Sequence, residues 1–173
     1  MSRSTGLIWC AGLLGLLNAA PSYYWAFGGD VLLQTIGAWL IELRAETPIL
    51  TGVALLGIGL GKTLAVVIPL VAAQQLRSLP VSSHPMTSQR LEVRGRGAHP
   101  VLWWNLSRLI AAGLIVYAAV GLLINAGQLL WPGLELQDPT ARLGQALLWY
   151  PLLLAWGLVL AVGLRRLRAT VGV

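Results

Sequence analysis

Charge is scarce in this 173-residue chain: only 10% of its residues are Asp, Glu, Lys or Arg, against 57% hydrophobic residues. A water-soluble domain of that length has too little interior to hide so much apolar surface. Cysteine is nearly absent too. Cys10 stands alone in an apolar run, which excludes an intrachain disulfide, a thiol pair and a cysteine-rich metal site and leaves it as a small hydrophobe in a helix. His84 and His99 stand beside prolines, without the cysteines or carboxylates of a zinc pattern, so no metal site is expected. Inside the long apolar runs there is neither a histidine nor a carboxylate. Strong acid–base catalysis within a membrane therefore has no pair of groups to work with, and no cofactor is expected.

What the chain has in abundance is apolar length. Four runs, at about residues 7–29, 49–73, 101–130 and 143–164, are each long enough at 1.5 Å per residue to cross roughly 30 Å of hydrocarbon. The expectation is an all-α integral membrane protein, a single polytopic domain built as a four-helix bundle. Pro21 should bend the first helix and Gly28-Gly29 should end it. Between the first two runs, residues 31–46 carry Gln34, Ala38 and Glu42 at four-residue intervals with leucine and isoleucine on the other faces. That pattern suits a short amphipathic helix on the outer surface, since the apolar stretch is too short to span.

The net charge of +6 is concentrated in short segments beside the apolar runs, where anionic lipid and cytoplasmic retention explain it better than nucleic acid does. Arg3, the loop 77–99 with Arg77, Arg90, Arg94 and Arg96, and the tail with Arg165, Arg166 and Arg168 belong on the cytoplasmic side. Asp30, Glu42 and Glu46 against Arg44, then Glu135 and Asp138 against Arg142, belong outside. This gives a bacterial inner-membrane protein with both termini cytoplasmic and membrane lipids as its first partners; a homo-oligomer is compatible with the sequence.

The stretch GIGLGKTLAV, residues 57–66, resembles a phosphate-binding loop in spelling alone. The required first glycine falls on Leu56, and the segment lies inside a span instead of between a strand and a helix. Lys62 is instead an amine about 20 Å down the second helix from Ile49, costing at least roughly 3 kcal/mol unless it finds polar company. Three readings are open: a stem that snorkels toward the inner surface, a cavity lysine meeting a ligand, or half of an ion pair between subunits.

Several positions are able to supply that company. Asn18, Ser22 and Trp25 share a helical face next to Pro21. Tyr23, Tyr24, Trp25 and Phe27 read as an aromatic belt or as the mouth of a pocket, faced by Trp149, Tyr150 and Pro151 on the fourth helix. In the third helix Gly113, Tyr117, Gly121 and Asn125 recur every four residues, a packing stripe that is also able to line a narrow pocket. Trp103, Trp104, Asn105 and Arg108 anchor its cytoplasmic end.

At Tyr24-Trp25-Ala26-Phe27-Gly28-Gly29 the chain resembles the family of small, four-span bacterial membrane proteins called domain of unknown function 3995. Its signature is Tyr-Trp-Ala-x-Gly-Gly at the end of the first helix, and Trp149-Tyr150-Pro151 is similar to a Tyr-Ser-Pro feature opening the last. Family members often carry a histidine where this chain has Ser22. The resemblance implies four spans and supplies no reaction. The leading expectation is a pocket, open to the outside, for a small hydrophobic or amphiphilic molecule. Asn18, Tyr24, Trp25, Lys62, Tyr117, Asn125, Trp149 and Tyr150 would line it. The alternatives are an enzyme acting on a lipid or isoprenoid-like substrate with Lys62 as stabiliser or base, a structural or partner-binding protein, and, more remotely, a transporter.

Overall fold

The computed structural model describes residues 3–77, 98–131 and 137–171. The basic loop with His84 falls almost wholly outside the described residues, as does Glu135. The helices are α1 (Arg3–Ala26), α2 (Ala38–Glu46), α3 (Pro48–Arg77), α4 (Ala98–Leu130), α5 (Pro139–Gly144) and α6 (Tyr150–Val171). A 3-10 turn, Leu33–Thr35, precedes α2, and a π-helical turn, Gln145–Trp149, joins α5 to α6. Among the described residues four stretches are long and apolar enough to cross a membrane: Thr5–Ala26, Pro48–Gln75, Val101–Leu130 and Pro139–Ala169. The all-α four-helix architecture is thus the one expected, with α1 beginning and ending a few residues earlier than the apolar run and the fourth span starting at Pro139.

The long helices form a closed ring in which α1 packs against α3 and α6, and α4 against α6 and α3. Its interior is built from small residues and a few large ones. Ala11, Ala111, Val66, Leu160 and Leu164 surround Trp156, which is only 1% exposed, while Leu13, Leu60, Leu64, Leu109 and Leu123 point outward. Lipid tails are as apolar as leucine, so burying leucine gains little here. Close backbone approach and dispersion contacts hold the helices together instead. Gly15 illustrates this, because a Cβ there would stand 2.7 Å from the Trp156 indole and collide with Val66.

The α1 terminus follows directly from Gly28-Gly29. Gly28 adopts φ 100°, a left-handed conformation costly for any residue with a Cβ. Its N–H donates to the Trp25 carbonyl (3.1 Å) and that of Gly29 to the Tyr24 carbonyl (2.9 Å), the paired bonds of a Schellman stop.

Residues 31–46 differ from the expected continuous amphipathic helix. Gly37, at φ 147°, breaks the chain between the 3-10 turn and α2, so the face through Gln34, Ala38 and Glu42 is never assembled. The segment folds over one end of the bundle, burying Leu33 and Leu40 against Trp25, Leu55 and Trp149. Arg44 staples it to the end of α1, bonding the Gly29 carbonyl at 2.7 Å and Asp30 at 3.0 Å. Asp138 holds it from the other side, one carboxylate oxygen accepting from the Ala38 N–H (2.6 Å) and the other capping α5 at Ala141 (3.1 Å).

Candidate functional site

Lys62 lies at the middle of the 30-residue α3. Its Nζ donates to the backbone carbonyl of Asn18 at 3.0 Å and to Ser22 Oγ at 3.1 Å, both on α1. Helical Cα–Cβ bonds tilt toward the helix N-terminus, and the lysine stem follows that direction, toward the capped end. The snorkelling reading sends it the other way. The acceptors come from a turn altered by Pro21, which has no N–H for the Leu17 carbonyl and whose ring crowds the preceding turn. Ser22 is 1% exposed, so its hydroxyl faces the seam between α1 and α3.

A second bond reinforces this seam. Tyr23 OH and Thr63 Oγ1 lie 2.8 Å apart, and the threonine donates to the Gly59 carbonyl at 2.9 Å. The Tyr23 ring lies across Gly59, where a Cβ would be 2.9 Å from Cε1. That close approach is what the middle glycine of GIGLG provides. Asn18 enters through its backbone, not through the side-chain amide expected of it. Its Oδ1 is buried with no hydrogen-bond partner, a costly state for a polar atom away from water.

Trp25 and Trp149 meet edge to face, with ring centroids 5.5 Å apart. Both are largely buried, and the cap satisfies both indoles: Trp25 Nε1 donates to the Val31 carbonyl (2.8 Å) and Trp149 Nε1 to Thr35 Oγ1 (2.9 Å). Gln145 adds a bond to the Ile36 carbonyl at 2.8 Å. The pair therefore forms the floor beneath the cap, whereas Tyr24 and Phe27 are exposed as belt residues are.

The remaining expected residues gather on the α4–α6 side. Asn125, 3% exposed, donates to the Gly121 carbonyl (2.8 Å) and accepts from Arg142 Nη1 (3.1 Å). Tyr150 fills the space over Gly121, where any Cβ would collide with its ring, and contacts Tyr117 edge to face at 5.7 Å. Tyr117 itself is 62% exposed and takes no part in the Lys62 seam. The four-residue stripe splits for a geometric reason. At 3.6 residues per turn each step of four drifts about 40°, so Asn125 lies about 120° around α4 from Gly113. Gly113 accordingly faces open space while Gly121 and Asn125 are buried.

The eight expected residues thus occupy three places: Asn18 and Lys62 in the α1–α3 seam, Trp25 and Trp149 under the cap, and Tyr117, Asn125 and Tyr150 on the α4–α6 face, with Tyr24 on the surface. Ser22 and Arg142 are the additions. Ser22 was signalled by its spacing from Asn18. Arg142 had no signal, because an arginine on the short α5 reaching seventeen residues back leaves no periodic trace. Among the described residues no group of three His, Cys, Asp or Glu side chains is able to hold a metal. A shallow apolar depression of about 450 Å³, lined by Thr47, Pro48, Ile49, Leu50 and Val53, lies at the start of α3, away from Lys62.

No protein-family model matches the chain, and no match was found among curated proteins or solved structures.

Proposed function

We propose that the protein binds a small hydrophobic or amphiphilic molecule along the α1–α3 seam, with Lys62 receiving its anionic or carbonyl-bearing group. One observation carries this reading: a mid-membrane ammonium rests on two neutral oxygens, Asn18 O and Ser22 Oγ, while no span contains a carboxylate. An intramembrane cation without a counter-charge is costly to retain, and a ligand supplying negative charge or a strong acceptor offsets that cost. Two of the three ammonium donors are engaged by α1, leaving the third for such a group.

The cap–floor contact of Trp25 and Trp149 argues for lateral access from the bilayer, in place of the outward-opening mouth first expected. A second reading, Lys62 as a purely structural staple of α1 to α3, is favoured by the fact that both of its acceptors belong to the neighbouring helix. The positive-inside rule further supports an inner-membrane protein with both termini cytoplasmic and the cap outside, because Arg108, Arg165, Arg166 and Arg168 lie toward the end opposite the cap.

A photoreactive fatty acid incorporated in nanodiscs separates the two readings. Binding predicts labelling concentrated on α1 and α3 beside Lys62, reduced about tenfold in Lys62→Met, as expected for loss of a charge-assisted bond. Labelling spread evenly over all lipid-facing helices, unchanged by the substitution, would leave the staple.

A further inference from the structure

We infer that Arg142 forms a second binding site, independent of Lys62, for the phosphate group of a phosphate-bearing amphiphile on the α4–α6 face. The arginine is half-buried and aligned on Asn125 Oδ1 at 3.1 Å. Asn125 is itself locked by its bond to the Gly121 carbonyl. The guanidinium is thus held in place by a neutral acceptor. The acid nearest in sequence, Asp138, has both carboxylate oxygens engaged by the Ala38 and Ala141 backbone amides. Arg44 pairs with Asp30, and among the described residues Arg142 has no carboxylate of its own.

Depth selects the ligand class. In the 33-residue α4, Asn125 lies eleven residues beyond the midpoint, about 16 Å along the axis. Half of a hydrocarbon core of roughly 30 Å is about 15 Å, so the guanidinium stands at the boundary where lipid phosphates begin. A planar fork with several unengaged N–H donors matches phosphate oxygens bidentately. Toward the bilayer centre, Gly121 leaves room for Tyr150, and Tyr150 meets the exposed Tyr117. These rings extend from the arginine toward mid-membrane as a surface for a hydrocarbon chain. Lys62, at the centre of α3, is about a half-membrane deeper and on the other seam.

The site is tested by native mass spectrometry of the full chain in detergent, titrated with dioctanoyl phosphatidylglycerol, dioctanoylglycerol or inorganic phosphate. Wild type should retain phosphatidylglycerol at least tenfold better than dioctanoylglycerol, which has the same tails without phosphate, and better than inorganic phosphate, which has no tails. With the seam amine removed by Lys62→Met, Arg142→Gln should erase the preference, and Arg142→Lys, which keeps the charge and loses the fork, should weaken retention about threefold or more. The loss caused by Arg142→Gln should be as large in the Lys62→Met background as in the otherwise wild-type protein. Equal retention of the two lipids, inorganic phosphate binding as tightly as phosphatidylglycerol, or full retention in Arg142→Gln would overturn the site. If the glutamine variant fails to fold, unchanged retention in Arg142→Lys would do so. An effect of Arg142→Gln that disappears in the Lys62→Met background would merge this site with the α1–α3 seam and overturn its independence.

Discussion

Ser22 Oγ stands 3.1 Å from Lys62 Nζ, and this contact determines how costly the lysine is. Without the lysine, the serine is not stranded, because its hydroxyl is able to turn back to the Asn18 carbonyl four residues earlier in its own helix. The oxygens that receive the ammonium are therefore able to satisfy one another when it is gone.

Lys62→Met should fold, with thermal stability in detergent unchanged or raised, because the substitution removes an insertion cost of about 3 kcal/mol and keeps the side-chain volume. Lys62→Glu should do the opposite. It would put a carboxylate beside the Asn18 carbonyl oxygen in a low-dielectric seam, with the Ser22 hydroxyl as its donor and no counter-charge, and loss of roughly 3 kcal/mol or failure to assemble is expected. Size-exclusion profiles and melting curves of both variants check the pair; a methionine variant that aggregates while the glutamate variant folds would sink this account.

Gly15→Ala tests the central packing. The new methyl would meet Val66 and the Trp156 indole at 2.7 Å, and Trp156 is too tightly enclosed to step aside. Overpacking of this kind costs about 1–3 kcal/mol, a melting-temperature drop of about 4–8 °C for a 2 kcal/mol loss. Gly113→Ala, where a Cβ meets open space, is the control and should melt within a degree or so of wild type. Equal melting of both variants would show that Gly15 is not a packing point.

The parts of this fold legible from sequence are those written in length and periodicity. Four apolar runs specify four spans because hydrocarbon thickness leaves few other solutions, and Gly28-Gly29 specifies a helix stop because the left-handed turn needs glycine. The break in the cap is not legible, because the residues around Gly37 have helical spacing while the glycine's own backbone turns the chain. The candidate site was legible in residue types but not in grouping. Asn18 contributes a backbone carbonyl, which sequence patterns do not encode, and the stripe ending in Asn125 rotates away from where its spacing seemed to aim. Trp149 reaches the cap through the π-helical turn just before Pro151, a widening that sequence spacing at 3.6 per turn does not anticipate.

Reporter fusions test the orientation. A cytoplasm-active reporter joined after Val173 should be active and one inserted after Gln34, in the cap, should not; a periplasm-active reporter should give the reverse. By the positive-inside rule basic segments, not acidic ones, set orientation. Exchanging Arg165, Arg166 and Arg168 for glutamine should therefore reduce the bias, while neutralising Asp30 should leave it intact.

Thr35 is the point at which the cap can be loosened without disturbing the spans. Its hydroxyl donates to the Leu32 carbonyl at 2.5 Å and accepts from Trp149 Nε1 at 2.9 Å. Valine keeps the shape and removes both bonds. The stranded indole N–H costs about 1–2 kcal/mol, and the loss falls on the cap because α1, α3, α4 and α6 are held by contacts elsewhere. Amide exchange across residues 33–46 should accelerate about 5–30-fold, the factor corresponding to one to two kcal/mol, with exchange in the middle of α4 unchanged. Asp138→Ala should accelerate the same segment from the opposite side by releasing the Ala38 N–H. Uniform acceleration across cap and spans alike would mean that the cap is not a separate opening unit, and the two indoles beneath it would then have to be counted as part of the bundle's central packing.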